Sequence, residues 1–195
     1  MESKHDVGRS ETANRFNVNF IDGASTLDMK TLTLLRHAKS SWKDAGLQDR
    51  ERPLNDRGQR DAPVMAHRIN EAGIRPSLIL SSPAVRAWTT AKAIAHEIGY
   101  PAEFLQQEES LLHASVRNLL KVISEQDIAF NNLMVVGHNP GLTDFANYLM
   151  PDLTDNIPTC GFVSFNIDRD DWNLDSDAEI KLIVYDYPKR VVVHA

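Results

Sequence analysis

Apolar runs set in near residue 30 and then alternate with amphipathic stretches almost to the end of the chain. Thr31 to Leu35 is short, β-branched and leucine-rich, and Ser77 to Ser81 repeats the pattern. Asn132 to Gly137 is the clearest buried strand. Between these runs the period changes. Asp56 to Gly73 carries Ala62, Met65, Ala66 and Ile69 at helical spacing and ends on Gly73, with Pro63 predicting a kink or a two-part helix. Pro83 to Ile98 predicts a second helix, with proline in its first turn and Gly99 closing it.

Ala102 to Leu105 reads as a short third strand, and Ser115 to Gln126 as a helix through Val116, Leu119, Leu120 and Ile123. A further helix is expected from Gly141 to Leu149. Gly161 to Ile167 and Glu179 to Tyr185 read as an antiparallel pair at the sheet edge, separated by the acidic turn of residues 168–177. Strands alternating with helices predict a three-layer α/β/α sandwich around a mostly parallel mixed sheet.

Residues 1–28 are polar, mixed in charge and aperiodic, so they are expected to form a disordered leader before a single domain, 29–195. Met29 stands directly before the first strand and is a second candidate start of translation. The formal net charge is -6 and no lysine or arginine tract occurs, which argues against a nucleic-acid partner. The single cysteine, Cys160, allows no internal disulfide and reads as a small packed residue rather than a nucleophile. No apolar run has the length of a membrane span and the N-terminus lacks a signal-peptide core, so a cytoplasmic setting is the expectation.

Three short motifs follow the carboxyl ends of three predicted strands: Arg36-His37, Ser81 to Arg86, and Gly137-His138-Asn139-Pro140-Gly141. In open α/β sheets ligands bind outside those ends, so neighbouring strands would bring two arginines and two histidines together. That set suits a phosphoryl group. Guanidinium forks match its oxygens, and backbone amides at the starts of the following helices add donors. A neutral His37 is a competent nucleophile toward phosphorus, with Arg36 disfavouring its protonation. His138 is cast as a donor to the phosphoryl oxygens, and Ser40 as an added hydroxyl donor. The seven histidines show no metal-ligand spacing, and neither metal nor cofactor is expected.

Leu34 to Trp42, with Ala38 where the usual first motif has glycine, resembles the signature of the histidine phosphatase superfamily, also called phosphoglycerate mutase-like. Ser81 to Thr90 is similar to its second-arginine motif, and Gly137 to Pro140 to its second-histidine motif. Arg52 to Gly58 and the short length resemble the SixA-type phosphohistidine phosphatases. The resemblance runs from Lys30 to Leu149. It implies a phosphatase acting through a phosphohistidine intermediate, with Arg36, His37, Arg86 and His138 lining the pocket.

Lys43 departs from the asparagine that many members carry. The carboxylic acid that protonates the leaving oxygen in many members also has no clean counterpart; Glu108, Glu109 and His113 are the candidates. An alkoxide leaves badly without a proton, whereas the weaker P–N bond of phosphohistidine needs the acid less. The expected substrate is therefore a phosphorylated protein histidine. A small phosphorylated metabolite, hydrolysed by a phosphomonoesterase of the same superfamily, is the alternative, and a non-catalytic phosphate-binding module is a third.

Overall fold

A computed structural model describes residues 29–174 and 178–190. The leader and the end of the acidic turn lie outside the described residues. Six strands form one sheet: β1 (Met29–Arg36), β2 (Leu78–Ser81), β3 (Leu105–Gln107), β4 (Asn132–Gly137), β5 (Phe162–Asp168) and β6 (Ile180–Asp186). Their order is β3-β2-β4-β1-β5-β6. The first four in that order run parallel, while β5 is antiparallel to both β1 and β6.

Among the described residues four α-helices cover the sheet: α1 (Asp56–Glu71), α2 (Val85–Glu97), α3 (Val116–Ser124) and α4 (Gly141–Leu149). β4 shows why its sequence is apolar without alternation from Leu133 to Val136. Leu133 and Val135 pack on one face with Leu119, Ile123, Leu142 and Phe145 of α3 and α4. Met134 and Val136 pack on the other with Met65, Ile69, Ala91 and Ile94 of α1 and α2. A central parallel strand is buried on both sides, so polar alternation disappears. The expected three-layer sandwich is what forms.

Three local expectations need correction. Of the kink or two-part helix expected at Pro63, the two-part form does not occur: α1 is continuous, because its buried stripe Ala62, Met65, Ala66 and Ile69 outweighs the one donor that Pro63 lacks. Pro83 precedes α2 instead of sitting in its first turn; Ala84 is the N-cap, with no side-chain cap. The third strand starts at Leu105, because Ala102–Phe104 forms a single 3-10 turn first, and the Tyr100 hydroxyl donates to the Phe104 carbonyl at 2.9 Å.

Two close approaches fix the loops around the carboxyl ends of the strands. A side chain at Gly58, at the start of α1, would meet the Lys39 carbonyl oxygen at 2.3 Å. That contact, with Ser41 N–H donating to the Pro53 carbonyl at 2.8 Å, locks the loop after β1 against residues 52–58. A side chain at Gly141 would fall 1.9 Å from the Ala114 carbonyl oxygen, so only glycine lets the turn after β4 press on residues 113–115.

Candidate active site

β2, β4 and β1 are consecutive in the sheet, so the three motifs converge on one crevice. Arg36 Cα pairs with Gly137, and Ser81 with Val136, which brings the three strand ends level. A cavity of about 200 Å³ opens there, lined by Arg36, His37, Lys39, Ser40, Trp42, Arg52, Arg86 and Thr159. Its size admits a phosphoryl group.

The hydrogen bonds of His37 settle its tautomer. Nδ1 lies 2.8 Å from the Ala38 carbonyl oxygen, an acceptor only, so Nδ1 carries the proton. Nε2 accepts from Arg86 Nε at 3.3 Å, so its one lone pair is directed at that guanidinium and becomes available to a ligand only when this bond is released. The ring is 8% exposed. Burial pushes its pKa down to about 4, Arg86, Arg36 and Arg52 pushing the same way and the Ala38 bond opposing them. Burial, rather than the neighbouring Arg36 alone, is what keeps the imidazole neutral.

His138 lies beside it, ring centroids 5.0 Å apart. Arg86 Nη2 stands 3.4 Å from its Nδ1 and can only donate, so the proton sits on Nε2, 2.7 Å from Ser82 Oγ. Its pKa is pushed down to about 3 by burial first, then by His37 and Arg86. The nitrogen facing the site is therefore an acceptor in this state. The expected donor role requires a proton there, which a bound dianion would favour and Arg86 opposes.

Both histidines have folded pKa values below the ordinary 6.5. The unfolded chain then binds protons that the folded one refuses. Stability should be full above about pH 6.5 and fall toward pH 4, by on the order of 1.4 kcal/mol per pH unit for each histidine. Urea titrations at pH 7 and pH 5 measure this. A His37→Asn, His138→Asn double variant should show a shallower loss than the wild type.

Arg36 is held by two bonds from Nη1, to Asn156 Oδ1 at 3.1 Å and the Ile157 carbonyl at 2.6 Å. Its Nε is buried with no hydrogen-bond partner among the described residues. Asn139 Nδ2 bonds the same two acceptors, at 2.9 and 3.0 Å. Arg86, 4% exposed, donates toward both histidines and pairs with Asp49, Nη2 to Oδ2 at 2.8 Å. Ser40 Oγ accepts from Arg52 Nη2 at 2.7 Å, so this hydroxyl supports an arginine and retains its own proton for a ligand.

Arg52 is a third guanidinium that the sequence motif contained without revealing its place. It is 7% exposed, stacks on the Trp42 ring, and donates from Nη1 to Asp49 Oδ1 at 2.7 Å. Asp49 itself was not foreseen. The three acid candidates separate cleanly. Glu109 makes a two-bond pair with Arg50 at 2.6 and 3.1 Å, and Glu108 caps Ser110 N–H at 2.9 Å. His113 alone reaches the crevice: its ring is 5.8 Å from that of His138 and its Nε2 3.8 Å from Asp49 Oδ2. It holds a left-handed φ of 55°. Cys160 is buried, with its pKa pushed up to about 12 by burial and by Asp61, so it is unreactive. Among the described residues no cluster has the make-up of a metal site, and no helix is long and apolar enough to cross a membrane.

Comparison with known proteins agrees with this geometry. Residues 32–109 match the model of the histidine phosphatase superfamily (branch 1). An uncharacterised chloroplast protein of Arabidopsis thaliana is 33% identical over 141 residues, 67% of this chain and 64% of that protein. The mitochondrial serine/threonine-protein phosphatase Pgam5 of Drosophila ananassae is 33% identical over 93 residues, 48% of this chain and 31% of its own. The matched part is thus less than two thirds of either relative's length. The crystal structure of a provisionally assigned phosphohistidine phosphatase SixA from Agrobacterium tumefaciens has a TM-score of 0.68 at 28% identity, covering 80% of this chain and 96% of that one. A protein histidine phosphatase SixA complexed with tungstate shares the fold, with a TM-score of 0.64 at 19% identity over 81% of this chain and 97% of that one.

Proposed function

We propose that this chain, which belongs to the histidine phosphatase superfamily, is a phosphatase that carries the phosphoryl group on His37 and removes it from phosphohistidine on a protein. The observation that carries the reading is the neutral, fixed imidazole of His37, whose unprotonated Nε2 is held by Arg86 at the edge of a crevice ringed by three guanidinium groups. Arg36, Arg52 and Arg86 supply the charge that holds and stabilises a phosphoryl dianion, so the catalytic steps call for no metal.

In the first step His37 Nε2 attacks phosphorus in line and a P–N bond forms. The P–N bond to the substrate imidazole breaks, and its electron pair stays on the leaving nitrogen. A substrate imidazole protonated on its other nitrogen leaves as a neutral ring. Water then attacks the phosphorus, the electron pair returns to His37 Nε2, and the water proton passes to the departing phosphate. Arg86, which already touches both histidines, is placed to follow the charge through both steps.

The preference for phosphohistidine rests on the leaving-group side. Partial burial opposes ionisation of Asp49, but the bonds from Arg86 and Arg52 outweigh this and hold its pKa below the ordinary value. It is therefore a poor proton donor, and Glu108 and Glu109 are engaged elsewhere. A small-molecule phosphomonoesterase is the second reading, favoured by the position of His113 beside His138.

Steady-state hydrolysis of a phosphohistidine peptide beside para-nitrophenyl phosphate, with and without chelator, tests the proposal. Chelator-resistant turnover should favour the peptide by roughly a hundredfold in kcat/KM, the usual worth of an absent general acid. A preference for the ester that collapses in His113→Gln would assign His113 as the acid and the second reading as correct.

A further inference from the structure

The loop between β1 and α1 sets a carboxylate between the arginines that a phosphoryl group needs. Asp49 Oδ2 is 2.8 Å from Arg86 Nη2 and Oδ1 is 2.7 Å from Arg52 Nη1. Two carboxylate oxygens thus bridge two guanidinium groups, much as two phosphoryl oxygens would. Four of the five Arg86 donors are engaged: Nε on His37, Nη2 on Asp49 and toward His138, and Nη1 on the Asp49 backbone carbonyl. A phosphorus atom in line with His37 Nε2 needs those same donors, so the carboxylate must yield them.

Little opposes its movement. The Asp49 side chain is 47% exposed. The single turn Asp49–Glu51 contains no buried residue. Apart from Arg52 and Arg86, the segment is tied down by the surface pair Arg50–Glu109, whose side chains are 49% and 68% exposed. Pairs of that kind hold weakly. His113 Nε2, 3.8 Å from Oδ2 at the crevice mouth, offers the displaced carboxylate a second partner.

We infer that Asp49 is a specificity-determining residue, a tethered competitor that yields the two arginines to a dianionic phosphoryl group and withholds them from singly charged anions such as phosphodiesters. The inference rests on reading the crevice as a phosphoryl site. A free monoanion can only match the charge Asp49 already provides, and it loses translational and rotational freedom that the tethered carboxylate never had. A dianion doubles the attraction to the same arginines and displaces it. Specificity here comes from a built-in rival rather than from an added contact.

Calorimetric titration of the full chain with sulfate, a dianion, and with dimethyl phosphate, a monoanion, tests this without requiring turnover. Asp49→Asn should tighten dimethyl phosphate by about tenfold and sulfate by less, narrowing the preference for the dianion. Glu109→Gln, which loosens the turn from outside, should tighten both anions by roughly two- to threefold. Weaker binding of both anions to Asp49→Asn would make Asp49 a support for the arginines and overturn the inference. Unchanged binding would overturn it equally, while phosphohistidine turnover by the wild type would leave the proposed function standing. Failure of both anions to bind to wild type and variant alike would remove the phosphoryl site and the inference together.

Discussion

Replacing His37 with alanine should abolish turnover, by on the order of 10⁵-fold, and remove all covalent labelling by a phosphohistidine donor. No other described group offers what His37 does. Its Nδ1 proton is fixed by the Ala38 carbonyl, its Nε2 is unprotonated, and burial keeps the pKa near 4. His138 is neutral too, but it does not line the arginine-ringed cavity that His37 lines, and its Nε2 proton is directed to Ser82. Quenched-flow labelling, with acid-labile and base-stable phosphate as the signature of phosphohistidine, reads the intermediate directly. The variant should still bind sulfate, because the three arginines remain. Persistent labelling of His37→Ala would move the nucleophile to His138 and invert the proposed order of events. Loss of both labelling and anion binding would instead show that the ring props the pocket open.

The reach of the sequence follows from which contacts are local. Arg36, His37, Arg86 and His138 sit at or just after the ends of strands recognisable by their apolar runs, and the sheet rule alone brings those ends together. α4 and β4 fall on the expected residues because their patterns are unbroken. Asp49 lies in a loop with no periodicity, and its importance comes from a pair to Arg86, 37 residues away. Arg52 is more legible: it opens the motif that runs to Gly58, and Asp49 stands three residues before it. The backing of Arg36 by Asn156 and Ile157 depends on how the segment before β5 passes the site, which no local pattern encodes. Sequence alone does not separate the acid candidates, because Glu108, Glu109 and His113 lie within six residues of one another. Only the tertiary arrangement points one into the crevice and ties another to Arg50.

Replacing Arg86 with alanine should cost on the order of 10³-fold in kcat/KM, with much of the loss in kcat. Arg86 makes a hydrogen bond toward each histidine, and its planar fork can follow a phosphoryl group from entry to exit. Arg86→Lys should recover only part of the loss, since a single ammonium cannot meet His37, His138 and a phosphoryl oxygen together. A second readout separates this role from simple anion capture. The Arg86 charge lowers the pKa of both His37 and His138, so its removal should raise both. The shift stops short of 6.5 because burial, the larger cause for each ring, persists. The acid limb of kcat/KM and the imidazole resonances in an NMR pH titration should therefore move to higher pH in Arg86→Ala. If activity falls while both titrations stay at their wild-type positions, Arg86 acts on the substrate alone, and burial by itself keeps the nucleophile neutral. If the titrations move and turnover at neutral pH does not fall, Arg52 and Arg36 suffice for the phosphoryl group, and the charge-following role passes to them.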